Sequence, residues 1–226
     1  MRKIKTFALK KFACLVGGLM LGLLSVVSLV AMPGSAMAAD PSETVTRAVD
    51  EIIEILNDPE LAGEENSEER YGRVVALVDK FLDFREISMR TMGPRWRDID
   101  DAQRQTFIDL FKKHLERNYI DQVDEYSDEK VVVKNHEIRE DRRGNRYARV
   151  MTDFVMKDQA VPINYRMREK DGRWLVYDVE IEGVSLVRNF RSQFEPYSFD
   201  ELIQRLEEGL ATGENALADD DMDFGL

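Results

Sequence analysis

The chain has 226 residues, a single cysteine, two histidines and a formal charge of −12. So acidic a chain argues against nucleic acid as a partner, which needs clustered cations, and against lasting adsorption to an anionic membrane. The lone Cys14 rules out a framework of internal disulfides.

The N-terminus has three parts. Arg2, Lys3, Lys5, Lys10 and Lys11 form a basic region without acids, Phe12 to Val30 is apolar, and Ala36-Met37-Ala38 is a small-x-small cleavage site. This pattern is that of a secretory signal peptide cleaved after Ala38 or Ala39. An uncleaved anchor is the alternative, because the apolar run is nearly long enough to span a bilayer. Cys14 opens the apolar region instead of following it, so it does not suit lipidation. Without residues 1–38 the chain keeps 27 basic and 44 acidic side chains, a balance of −17, and no cysteine. The remaining domain must then be held by its core alone.

Residues 42–57 place Val45, Ala48, Val49, Ile52, Ile53 and Leu56 at helical spacing, with Ser42 as a candidate cap. Asn57 to Ser67 reads as a loop. Residues 68–82 set Tyr71, Val74, Val75, Val78, Phe81 and Leu82 on one helical face. A short helix over 84–92 ends at Gly93-Pro94. Asp100 or Asp101 caps a long helix to about Tyr126, with Phe107, Leu110, Phe111, Leu115 and Tyr119 inward. The period then changes. Residues 130–139, 145–157, 160–169 and 173–182 read as strands, with turns at Arg143-Gly144-Asn145 and Lys170-Asp171-Gly172. Strands joined so tightly are antiparallel. Helices over about 185–195 and 199–210 follow, with Pro196 between them. The acidic tail, 212–226, reads as disordered. The expected fold class is α+β, with helices packed over one face of a curved, four-stranded antiparallel sheet.

A catalytic site is hard to assemble from these residues. With the leader removed there is no thiol nucleophile, and there is no G-x-S-x-G elbow or phosphate-cradling glycine loop. His114 and His136 have no obvious acid–base partner in the sequence, and no spacing resembles a metal motif. No cofactor and no metal are expected.

The stretch from 173 to 194, RWLVYDVEIEGVSLVRNFRSQF, reads as a strand, a glycine break at Gly183 and an amphipathic helix capped by Ser185. Leu175, Tyr177, Val179 and Ile181 would share one strand face, with Trp174, Val176 and Asp178 on the other. A sheet apolar on both faces that feeds an apolar helix demands either a thick core or an internal cavity.

This stretch resembles the signature of the MlaC, or toluene-tolerance, family of periplasmic phospholipid-binding proteins. Trp174, Tyr177-Asp178-Val179, Glu182-Gly183-Val184-Ser185-Leu186 and Arg191-Ser192-Gln193-Phe194 carry the likeness. An upstream block agrees: Phe84-Arg85-Glu86-Ile87-Ser88, Met92-Gly93, Trp96-Arg97, Gln103-Arg104, Phe107 and Tyr119. The likeness runs from about Val45 to Leu210. It departs from the family pattern in the acidic tail and at Phe190, where many relatives carry tyrosine. The resemblance implies a nuclear-transport-factor-2-like sheet with an added helical subdomain, making 39–211 one lipid-binding domain. Its helical part would cover about 42–126, its sheet about 130–182 and its last helices about 185–210.

The resemblance also implies a carrier that is not an enzyme and that takes phospholipid as cargo. It implies exchange between an outer-membrane lipoprotein–porin complex and an inner-membrane ABC transporter with an MCE-domain subunit, maintaining outer-membrane lipid asymmetry. Burying a methylene contributes about 0.8 kcal/mol, so on the order of 30 methylenes represent roughly 24 kcal/mol that a carrier must preserve by enclosing both chains. Acyl chains are therefore expected inside and the hydrated head group at the mouth. Phe107, Phe111, Phe154, Ile163, Tyr165, Met167, Tyr177, Val179, Ile181, Val184 and Leu186 are the candidate cavity residues. Arg188, Arg191, Arg95 and Arg97 are candidates for the head group or an acidic partner. Two other readings stay open: a small enzyme of the nuclear-transport-factor-2 shape, and a structural periplasmic adaptor with a solid core.

Overall fold

The computed structural model describes residues 40–120, 130–156 and 159–212. The leader, residues 121–126 of the expected long helix and most of the acidic tail lie outside them. The first half is helical: α1 (Pro41–Leu56), two short 3-10 turns, α2 (Ser67–Phe81), α3 (Phe84–Met92), a 3-10 turn at Gly93–Arg97 and α4 (Asp101–Ile120). The sheet follows as β1 (Lys130–Glu140), β2 (Arg146–Met156), β3 (Gln159–Lys170), β4 (Arg173–Ile181) and the two-residue β5 (Val184–Ser185). Helices α5 (Leu186–Phe194) and α6 (Phe199–Thr212) complete it.

All five strands are antiparallel neighbours in sequence order, an α+β architecture. The turns explain the order. Asp171 and Gly172 both have positive φ (51° and 74°), which suits a two-residue hairpin following the right-handed strand twist. Glu182 and Gly183 repeat the device (49° and 88°). The expected glycine break is thus a hairpin turn, and β5 is the strand the sequence pattern was too short to show. Asp40, not Ser42, caps α1: its Oδ1 accepts from Ser42 N at 2.7 Å and Glu43 N at 3.4 Å.

Two apolar clusters hold the molecule together. One face of the sheet, carrying Ala148, Val150, Met167, Trp174 and Val176, packs with Val45 of α1. The other cluster joins α3 to α6 around Ile87, Met92, Phe107, Phe111, Phe190, Phe194, Leu202 and Leu206. Between α2 and α3 the chain runs along the edge of β4: Leu82 bridges Val176, and Asp83 N donates to Val176 O at 2.8 Å. Helices α3 and α5 therefore meet the sheet mainly at β4, while α1 covers it from β1 and β2.

Candidate functional site: two apolar cavities at β4

Strand β4 is irregular where it matters. Arg166 of β3 pairs with Asp178, yet the next residue, Met167, pairs with Val176. Tyr177 is the extra residue of a β-bulge, and such an insertion reverses the alternation of side chains. Trp174, Val176, Val179 and Ile181 therefore share the face of Met167, Tyr165 and Ile163. Leu175, Tyr177, Asp178 and Glu180 belong to the other face. The expected single face of Leu175, Tyr177, Val179 and Ile181 is corrected by this one residue.

Around the bulge lie two apolar cavities. The first, about 160 Å³, is walled by α2 (Val74, Val75, Val78), Leu82, Phe84 and Ile87, α4 (Leu115, Glu116), β4 (Val176, Asp178, Val179) and Leu186 of α5. The second, about 180 Å³, lies between α1 (Thr44, Val45, Ala48, Val49, Ile52), the end of α2 (Val78, Phe81, Leu82) and the sheet residues Tyr165, Met167, Val176 and Val179. Val78, Leu82, Val176 and Val179 wall both. Neither alone reaches the roughly 300–1,000 Å³ of a typical ligand site, but side by side they meet its lower end. Short β-branched valines dominate the facing helices, leaving space that leucine or phenylalanine would fill.

Polar groups in the walls are few. Asp178 is engaged: its Oδ2 accepts from Ser185 Oγ at 2.7 Å and its Oδ1 from Val187 N at 3.1 Å. Burial pushes the Tyr165 phenol up to about 12, despite the Thr152 hydroxyl beside it, so it stays neutral in the second cavity. Glu116 is the remaining ionisable residue of the first cavity.

Of the candidate cavity residues, Tyr165, Met167, Val179 and Leu186 line one of these spaces. Phe107 and Phe111 do not. They are fully buried in a packed aromatic cluster, with ring centroids 5.4 Å apart and Phe111 5.0 Å from Phe190 and 5.3 Å from Phe194. Phe154 and Ile163 share the sheet face of Tyr165 farther along the strands, and Ile181 pairs with Ile163; none of the three lines either cavity. Val184 is 48 % exposed beside the β4–β5 turn, so it is no wall residue. Tyr177 was carried by the bulge to a polar groove of about 290 Å³ with Glu137, Arg139, Tyr147, Arg149 and Arg166. There Glu180 accepts from Arg149 at 2.9 Å and from Arg166 at 2.8 Å, resolving two guanidiniums set opposite each other on adjacent strands. Conversely, the α1 and α2 wall residues were read from the sequence only as buried helix faces. Their richness in valine is the one trace of the cavities in the sequence, and it does not by itself separate a cavity wall from a filled core.

Three of the four candidate arginines are engaged within the protein. Arg95 donates to the carbonyls of Tyr197 and Phe194, and Arg191 to the carbonyl of Arg90, tying helices together. Arg188 reaches Gly183 O at 3.3 Å and lies 3.8 Å from Glu180. Arg97 is exposed on the turn before α4. None of the four lines either cavity.

The nearest approach to a catalytic constellation is at the start of α1. Ser42 Oγ lies 2.7 Å from His136 Nδ1, and His136 Nε2 lies 3.6 Å from Asp40 Oδ2. The same Asp40 caps α1, and none of the three residues lines either apolar cavity. The trio serves to pin α1 to β1. Among the described residues no cluster of His, Cys, Asp and Glu could hold a metal ion.

The family model for MlaC protein matches residues 46–208, most of the chain and all of both cavity walls except Thr44 and Val45. The chain belongs to the MlaC family. A relative in Haemophilus influenzae, the intermembrane phospholipid transport system binding protein MlaC, is 22 % identical over 127 residues, 53 % of this chain. The chain spans 58 % of that relative's length. The fold is also that of a phospholipid-binding protein from Ralstonia solanacearum solved in complex with a phospholipid. That structure superposes with a TM-score of 0.64 at 27 % identity, covering 76 % of this chain and 98 % of the other. A chain of the MlaC family with apolar cavities of its own thus shares its fold with a protein solved with phospholipid bound.

Proposed function

We propose that this protein is a phospholipid carrier that holds acyl chains in the paired cavities at β4 and leaves the head group at their mouth. The observation that carries the reading is the pair of adjoining, almost wholly apolar spaces sharing Val78, Leu82, Val176 and Val179. A folded chain of this size does not leave such volume unfilled without cost, because interiors pack as densely as organic crystals and cavities destabilise. A ligand that fills the space offsets that cost. Loading widens the space by separating α1 and α2 from the sheet.

Two similar proteins support the choice of ligand: one binds a phospholipid in its solved structure, and the other is a binding protein of an intermembrane phospholipid transport system. By the same likeness the protein works in the periplasm after leader removal. There it passes lipid between an inner-membrane ABC transporter with an MCE-domain subunit and an outer-membrane lipoprotein–porin complex, maintaining lipid asymmetry. It is a binding protein and not an enzyme. Purified protein extracted with organic solvent and examined by mass spectrometry should release phospholipid at near one molecule per chain. Lipid-free protein that takes up none from vesicles would defeat the proposal.

A further inference from the structure

Helix α1 walls the second cavity with Thr44, Val45, Ala48, Val49 and Ile52, yet little holds it there. Among the described residues, the polar ties between the start of α1 and the sheet run to one side chain. Ser42 Oγ lies 2.7 Å from His136 Nδ1, and Asp40 Oδ2 lies 3.6 Å from His136 Nε2. The first turn is packed down, with Pro41, Thr44 and Val45 buried, whereas Ala48, Val49 and Ile52 farther along are half-buried. Helix α2 is held more firmly. Leu82 at its end bridges Val176, Asp83 N donates to Val176 O at 2.8 Å, and Lys112 of α4 donates to Asp79 at 2.6 Å. The loop between the two helices is fastened to α2, because the buried Arg70 donates from Nη1 to Leu61 O at 2.7 Å and to Gly63 O at 3.2 Å. Between that loop and α1 stands Asn57-Asp58, where the last bond back to the helix, Asp58 N to Ile55 O, is stretched to 3.4 Å.

We infer that α1 is the gate of the second cavity, turning about Asn57-Asp58 and latched at its far end by His136. This rests on the carrier reading above and names the side from which the space opens first. A few residues at the end of an element suffice to absorb such a rotation. The latch is suited to breaking. His136 and Asp40 are partly exposed, so water replaces their bonds as they part and the net cost is small. Closing buries Val45 against Ala148, Val150 and Met167, so the shut state dominates in the empty protein. An acyl chain that enters the gap covers the same apolar surface and holds the gate open. Meanwhile the ties of α2 to β4 and α4 keep the wall shared with the first cavity in place.

The test is a reversible lock. Without its leader the chain has no cysteine, so Ser42→Cys with His136→Cys supplies the sole pair of thiols. This protein is loaded with phosphatidylcholine carrying a pyrene acyl chain and then bridged with a short, reducible bis-thiosulfonate reagent. Transfer of the label to unlabelled phosphatidylcholine vesicles should slow several-fold, and reductant should restore it, so one folded protein serves as its own control. The same reagent bridging Asp79→Cys and Lys112→Cys, which ties α2 to α4, should leave transfer unchanged. His136→Ala should speed transfer about three- to tenfold, as the loss of one net hydrogen bond shifts an equilibrium. Equal rates before and after reduction of the α1 lock, or equal slowing by the two bridges, overturn the gate and leave the carrier standing. Wild-type transfer by folded His136→Ala overturns the latch. Protein that takes up no phospholipid in any form overturns both the gate and the carrier.

Discussion

Asp178 and Ser185 are joined by a 2.7 Å hydrogen bond across the β4–β5 turn, and Ser185 Oγ in turn accepts from Arg188 N at 3.2 Å as the cap of α5. The second Asp178 oxygen takes Val187 N. One buried carboxylate therefore fixes the first turn of α5, and with it Leu186, to the strand that walls both cavities. Asp178→Ala removes hydrogen bonds to a charged group, worth about 1.5–3 kcal/mol each way of counting, whereas Ser185→Ala removes a cap worth about 1 kcal/mol. Because the two act through one another, the double variant should lose less than the two single losses combined. Urea melts of the four proteins check this, and strict additivity would show that the bond does not couple them.

The aromatic cluster gives a contrasting expectation. Phe111 touches Phe107, Phe190 and Phe194 and is fully buried, but lines neither cavity. Phe111→Ala should cost about 3–5 kcal/mol, as large-to-small changes at buried aromatics do. Phospholipid per folded molecule should stay at the wild-type level. A parallel fall in lipid load in the still-folded fraction would place Phe111 in the ligand's path.

Much of this molecule is legible in the sequence. Helical spacing located α1 to α6, and Asp171-Gly172 marked a hairpin because its residues tolerate positive φ. The faces of β4 were not legible, since strict alternation from Leu175 to Ile181 fits the letters as well as the true, bulged strand. Nothing local marks Tyr177 as the inserted residue; it has no partner of its own on β3, where Met167 pairs with Val176 and Arg166 with Asp178, and only that register reveals it. The same limit moved Val184 outside, because a two-residue turn followed by a two-residue strand has no period to read. Cavity and core also look alike in one dimension: Phe107 and Val78 are both apolar on helix faces. What separates them is whether the partner face supplies enough volume, which depends on tertiary neighbours. The structural ties of Arg95 and Arg191 were not legible for a related reason. Arg95 and Arg191 are spent on carbonyls at helix ends far away in sequence.

His114 makes stability depend on pH. Burial lowers its pKa to about 4 from an ordinary 6.5, and Asn118 Nδ2 lies 2.9 Å from its Nε2, with the Phe190 ring 5.9 Å away. The folded state thus keeps the imidazole neutral while the unfolded chain protonates it below about 6.5. The unfolded state binds the extra proton between those values, so stability falls as pH drops from about 6.5 to about 4 and levels off below. The full effect is on the order of 3 kcal/mol. His114→Gln should flatten that part of the stability–pH curve relative to wild type, read from denaturant midpoints at matched ionic strength. Identical slopes in both proteins would mean that His114 gains a proton freely in the fold.

Val78 decides whether the space at β4 is a binding site or a flaw in packing. It is the α2 residue whose side chain faces both cavities, directly across from Val176 and Val179. Val78→Trp adds bulk where volume is already vacant, so the strain of overpacking, usually about 1–3 kcal/mol, is relieved by the cavity it fills. Stability should therefore change little. If acyl chains occupy this space, the same substitution must displace them, and extracted phospholipid should fall several-fold. Val184→Trp is the matched control: the residue is 48 % exposed on the β4–β5 turn, so the added ring meets solvent and lipid load should hold. Equal loads in the two variants, with both folded, would show that whatever lipid the protein carries sits elsewhere.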